Sequence, residues 1–115
     1  FKRVLKMARR LARSDLRNVR LVEGRGEVIL QDVLEPGSVH EIWINFSDPW
    51  PKAAQAGRRI FQPDFVRGAA ICLAAGGVLH VATDDALYAE QIDACLSGES
   101  LLENLYFISK WLYNI

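Results

Sequence analysis

The spacing of apolar positions divides the chain into alternating helix and strand signals. Phe1, Val4, Leu5, Ala8, Leu11 and Ala12 recur at helical spacing with cations between them. That pattern predicts an amphipathic helix with its apolar side inward, ending near Leu16-Arg17-Asn18. Val19 to Val22 reads as a short buried strand and Gly24-Arg25-Gly26 as a turn. Ile29, Leu30, Val33 and Leu34 suit a short helix, closed by the turn chemistry of Glu35-Pro36-Gly37-Ser38. Val39 to Phe46 is the second strand. Its near-continuous apolar centre, Ile42-Trp43-Ile44, predicts a parallel strand covered on both faces.

Residues 52–59 are polar, contain Gly57 and predict a loop. Pro63 suits the first turn of a helix and Gly76 its end, with Phe65, Ala69, Cys72 and Leu73 on the apolar side. Gly68 inside that helix costs about 1 kcal/mol relative to alanine and points to close packing. Gly76-Gly77 leads into a third strand, Val78 to Thr83. Asp84 or Asp85 caps the next helix, which buries Tyr88, Ile92, Cys95 and Leu96 and stops at Ser97-Gly98. Residues 101–114 mix aromatic and β-branched side chains and predict one last strand. The order implies an α/β fold, a mostly parallel sheet with helices on both faces. Ligands of such sheets sit at the carboxyl ends of the strands. The loop after Phe46 and the Thr83-Asp84 turn both lie at such ends.

Composition narrows the class. The chain has 115 residues, half of them hydrophobic, which suits one domain with a small core. Net charge is zero, yet Lys2, Arg3, Lys6, Arg9, Arg10, Arg13, Arg17 and Arg20 face only Asp15 in the first twenty residues. Such a basic end is either a solvated helix face or a nucleic-acid contact. No run approaches the roughly 20 apolar residues of a membrane span, and no signal peptide is visible. Cys72 and Cys95 lie far apart and match no metal-ligand spacing, which predicts a reduced, cytoplasmic protein. The chain opens inside a helical pattern without an initiator methionine, as a piece of a longer protein does.

The densest chemistry is in Asn45-Phe46-Ser47-Asp48-Pro49-Trp50-Pro51-Lys52. It places a carboxylate where a buried strand runs out, in a loop stiffened by two prolines. Asp48 and Trp50 each precede a proline, which predicts that both are held extended. A rigid acid and indole beside a strand end suit a cleft.

That run, with Arg58-Arg59, Pro63-Asp64-Phe65, Gly76-Gly77, His80-Val81-Ala82-Thr83-Asp84 and Tyr88, resembles the tRNA guanine-N7 methyltransferase family from about Leu16 to Tyr106. The resemblance implies a Rossmann-like class I methyltransferase fold. It also implies S-adenosylmethionine as methyl donor and a guanine in the tRNA variable loop as acceptor. Guanine N7 carries a lone pair and no proton, so methyl transfer needs alignment rather than a general base. A fixed carboxylate can hold the base by its N–H edge and favour the charge it gains. The resemblance gives Asp48 this active-site role, catalytic and against the cofactor. It gives Lys52, Arg58, Arg59 and Asp84 to the substrate, and Trp50 can stack on a base. Each has a plainer alternative: Asp48 starts an Asp-Pro turn, Trp50 fills space under the loop, Lys52 is a surface cation and Asp84 is a helix cap. Thr83 reads as structural, His80 as packed in its strand and His40 as exposed.

The chain also departs from the family pattern. The family has a longer basic loop after its Lys; here Ala53, Ala54, Gln55, Ala56 and Gly57 stand instead. The family's acidic turn after the first strand reads Gly24-Arg25-Gly26, with Glu23 or Glu27 as possible compensation. The glycine-rich cofactor loop, the ribose-binding acid and the first strands belong before Phe1, and a Thr-rich acidic motif belongs after Ile115. These 115 residues thus read as one partial methyltransferase domain, the C-terminal half. Such a piece is expected to bind cofactor weakly and to expose a sheet edge that invites a second copy. The competing reading is a degenerate relative that binds RNA or assembles without catalysis. A generic α/β interaction domain leaves the stiff Asp48 loop unexplained.

Overall fold

Two parallel strands form the centre of the computed structural model, which describes residues 2–105. β1 is Val39–Asn45 and β2 is Leu73–Ala82, paired from Glu41 with Val78 to Asn45 with Ala82. α1 (Lys2–Ala12) and a short helix, α2 (Gly26–Val28), precede them; α2 widens into a π turn over Ile29–Val33. α3 (Pro63–Cys72) is the crossover between the strands, and α4 (Ala86–Ser97) follows β2. The result is the mixed α/β fold, parallel in its sheet with flanking helices, expected of part of a class I methyltransferase.

Local chemistry places the helices. α3 has Pro63 in its first turn, where no N–H is needed, and Asp64 beside the positive end of the helix dipole. Asp85, not Asp84, caps α4: its Oδ1 accepts the Tyr88 N–H at 2.8 Å. α3 stops at Cys72 rather than at Gly76, because β2 begins at once. Leu73 pairs with Val39 and Val78 with Glu41, so β2 spends three more residues than β1 in that interval. Gly76, at φ 81°, and Gly77 absorb the excess. A Cβ on Gly77 would lie 2.9 Å from the carbonyl oxygens of both Ala74 and His40, closer than real side chains come.

The core is Phe61, Phe65, Val66, Tyr88 and Ile92, with Leu30, Ile44, Ile60, Val81, Cys95, Leu96 and Leu102 packed against it. Burying each large side chain contributes about 1.5–3 kcal/mol. Ile44 and Val81 bring one face of the sheet to this core.

Several expectations are corrected. The other face of the sheet is open: Glu41 and Trp43 are exposed, Trp43 at 62%, and its ring stacks on His80 at 3.7 Å. β1 therefore alternates in burial instead of being covered on both faces. Val19–Val22 is not a strand, and Val22 is 58% exposed. An isolated extended run leaves its N–H and C=O groups unpaired, and no described strand lies alongside it. The apolar side of α1 is not inward; none of its residues is buried. The predicted loop at 52–59 contains a 3₁₀ turn, Ala53–Arg58. Residues 101–105 form no strand, and the rest of the predicted last strand lies outside the described residues.

Candidate active site

Parallel pairing brings the ends of β1 and β2 together, so the turns that follow them are neighbours. The Phe46 N–H donates to Ala82 O at 2.8 Å just past the last strand pair. Ser47 Oγ meets the Tyr88 hydroxyl at 3.1 Å, joining the Asp48 loop to α4. Thr83, 2% exposed, accepts the Asp85 N–H at 3.3 Å and shapes the second turn.

Asp48 is exposed at the rim of this junction, and its Oδ1 accepts the Trp50 N–H at 3.0 Å. The carboxylate is thus oriented by its own loop, as the Asp-Pro turn alternative requires, while it still faces solvent. Trp50 is not extended. Its φ is 42°, and Phe46 has φ 56°. Pro51 keeps Trp50 out of the right-handed helical region, and the chain takes the left-handed one. For an L residue with a large side chain this costs about 1–2 kcal/mol, so the surroundings must hold it.

The two adjacent arginines behave differently. Arg59 is half-buried, and its Nε donates to Pro49 O at 2.6 Å. Its Nη2 donates to Trp50 O at 3.1 Å and its Nη1 to Gln91 Oε1 at 2.5 Å. Arg58 is exposed, with its guanidinium 5.2 Å from the centroid of the Trp50 ring. Such a cation–π contact is worth about 0.5–1 kcal/mol at an exposed site. The side chains of Lys52 and Asp84 are exposed and make no hydrogen bond or ion pair among the described residues. Asp84 has been relieved of the capping role by Asp85.

Beside the loop runs an open groove of about 460 Å³, lined by Arg25, Glu27, Gln31, Arg58, Gln62 and Asp64 among others. Arg25 is paired with Glu27 at 2.7 Å, so the reversed charge of the Gly24-Arg25-Gly26 turn is locally compensated. Gly26 sits close under Ile60, whose Cδ1 would be 3.1 Å from a Cβ there. Among the described residues no group of three His, Cys, Asp or Glu side chains is arranged to hold a metal.

A protein-family model described as "Putative methyltransferase" matches residues 1–111. The chain belongs to this methyltransferase family. It is 44% identical over 95 residues to the tRNA (guanine-N(7)-)-methyltransferase of Corynebacterium jeikeium, covering 83% of this chain and 37% of that protein. The like-named protein of Paenarthrobacter aurescens is 42% identical over 91 residues, 79% of this chain and 30% of the relative. That of Bordetella pertussis is 41% identical over 95 residues, 83% and 37%. The chain thus spans about a third of the length of the curated relatives it matches.

Within this methyltransferase fold, the structure gathers Asp48, Trp50, Arg58 and Arg59 around one loop. Two participants escaped sequence reasoning. Gln91 is 32 residues from Arg59 and carries no motif. Phe61, 1% exposed, anchors the site's floor and accepts the Gln91 Nε2–H at 3.1 Å. Its only local signal was an apolar pair, Ile60-Phe61, just before Pro63. No helix among the described residues is long and apolar enough to cross a membrane.

Proposed function

We propose that this domain takes part in S-adenosylmethionine-dependent methylation of guanine N7 in tRNA, acting in the cytoplasm. The observation that carries the reading is an exposed carboxylate, Asp48, oriented by the Trp50 N–H at the carboxyl end of β1. The names of the relatives point to the same chemistry.

The groove beside the loop suits the nucleoside part of the donor. Its volume lies in the range of small-molecule sites, about 300–1,000 Å³. Gln31, Gln62 and Asp64 offer it amide and carboxylate partners. When bound, the donor supplies a methyl group on a sulfonium. Transfer of that methyl to the N7 lone pair, with the carbon–sulfur bond giving way, would leave the positive charge on the purine. No proton moves in this step. The task of the chain is to align and to stabilise. Asp48 accepts hydrogen bonds from the N–H edge of guanine and favours its developing charge. Trp50, steadied by Arg58, offers a face for stacking, worth about 1–3 kcal/mol per base. Arg58 and Lys52 meet backbone phosphates, and Asp84 takes a polar group of the substrate.

The run Ala53–Gly57 favours a second reading, RNA binding or assembly without turnover, because phosphate contacts are fewer there. The outer edges of β1 and β2 are also unpaired among the described residues, which suits pairing with a second copy. Light scattering that returns a monomer at all concentrations removes that association. The test of the main reading is mass spectrometry of tRNA incubated with the full-length protein and S-adenosylmethionine. N7-methylguanosine is the expected product. RNA binding without any methylated base selects the second reading, and methylation of another base rejects the first.

A further inference from the structure

We propose that Arg59 is a positioning residue for the Asp48 loop, held in place by Gln91, rather than a contact to tRNA phosphate. The inference rests on the methyltransferase reading of that loop. Each of the three nitrogens of the Arg59 guanidinium donates a hydrogen bond inside the protein. Nε donates to Pro49 O at 2.6 Å and to Trp50 O at 3.3 Å, and Nη2 donates to Trp50 O at 3.1 Å. Nη1 is taken by Gln91 Oε1. The amide of Gln91 then donates to Phe61 O, on a residue at the centre of the core. The loop is therefore tied through one planar cation to α4 and to a rigid floor.

Tyr88 supplies a second hold. Its ring centroid lies 5.9 Å from the Arg59 guanidinium, and its hydroxyl meets Ser47 Oγ. Between these two anchors lies Trp50, at φ 42°. A large L residue stays in that conformation only where its surroundings over-determine it. Two successive carbonyls, Pro49 and Trp50, turned toward one guanidinium provide the constraint. The Trp50 N–H in turn orients the Asp48 carboxylate, so releasing Arg59 releases Asp48. The pair Arg58-Arg59, uniform in sequence, is thereby divided: Arg58 faces solvent, and Arg59 faces inward.

The role depends on the fork and not on the charge, and lysine lacks the fork. Three variants of the full-length protein separate the possibilities: Arg59→Lys, Arg59→Gln and Gln91→Leu. Amide hydrogen exchange reads the loop without any need for activity. Each variant is expected to speed exchange of the Trp50 amide by about tenfold, the loss of one charge-assisted hydrogen bond. The α3 and α4 amides of Val66 and Ala89 serve as internal controls for global unfolding and should keep their protection. In methylation assays kcat should fall in all three, with KM for tRNA and the salt slope of binding unchanged. The proposal is overturned if Arg59→Lys keeps both Trp50 protection and kcat. It is equally overturned if Arg59→Gln lowers the salt slope by about one, the mark of a lost phosphate contact. If the wild-type protein methylates no guanine, the functional reading fails, and the exchange arm alone decides whether Arg59 holds the loop.

Discussion

Replacing Asp48 by asparagine isolates charge from shape. The turn should survive, because the asparagine Oδ1 can still accept the Trp50 N–H now at 3.0 Å from the carboxylate. The side chain is exposed and makes no ion pair among the described residues, so stability should stay within about 0.5 kcal/mol. The second carboxylate oxygen, however, becomes an NH₂ group that points donors at the donors of the guanine edge. One charge-assisted hydrogen bond is lost, worth about 1.5–3 kcal/mol, and a base donor is left without a partner. Allowing for non-additivity, about 2–4 kcal/mol of transition-state stabilisation should go, or about 30- to 900-fold in rate. The assay is single-turnover methyl transfer by the full-length protein at saturating tRNA, with the melting temperature measured alongside. Asp48→Ala should be worse, since the Trp50 amide then loses its acceptor too. A rate for Asp48→Asn within threefold of wild type would refute the reasoning.

Four further outcomes follow from the packing and the local electrostatics. A Cβ on Gly68 would meet Gln31 and Leu30 only at ordinary contact distances, so Gly68→Ala should raise stability by about 0.5–1 kcal/mol in urea titrations. Gly77→Ala, which drives a methyl against two carbonyl oxygens, should lower it by about 1–3 kcal/mol. The Cys72 thiol donates to Leu30 O at 2.9 Å, and burial raises its pKa as it does that of Cys95. Both should react with a thiol reagent at neutral pH far more slowly in the folded protein than in urea. The Glu99 carboxyl is held below its ordinary pKa by the Leu101 N–H and by Arg67 at 2.8 Å. Its folded pKa is depressed, so its contribution is present above the usual carboxylate range, about pH 4–5, and is lost as pH falls through the lowered value. Glu99→Gln should flatten that part of the pH–stability curve.

Much of the fold was legible because it is local. The apolar run at 42–44 marked β1, Pro63 marked the start of α3, and the Asp84-Asp85 pair with Ser97-Gly98 bracketed α4, the structure choosing Asp85 as the cap. What failed depended on neighbours. Val19–Val22 has strand composition, yet a strand exists only beside another, and the described sheet does not reach it. The π turn at Ile29–Val33 and the irregular register before Val78 answer to packing that no periodicity reports. At the site, residue types were readable and conformation was not. The prolines predicted an extended Trp50, whereas two carbonyl contacts to Arg59 accompany a left-handed one. Arg58 and Arg59 are adjacent and chemically identical, so nothing in the sequence could assign one outward and one inward.

The central claim is that the Asp48 loop presents the N7 lone pair of a guanine for methylation. The most direct test is methyl transfer by the full-length protein to tRNA in which the target guanine is replaced by 7-deazaguanine. That analogue keeps the N–H edge read by Asp48 and the face offered to Trp50, but it has a C–H where N7 would be. The account predicts binding close to that of unmodified tRNA with no methyl transferred. Methylation of the analogue at a rate comparable to guanine would contradict it.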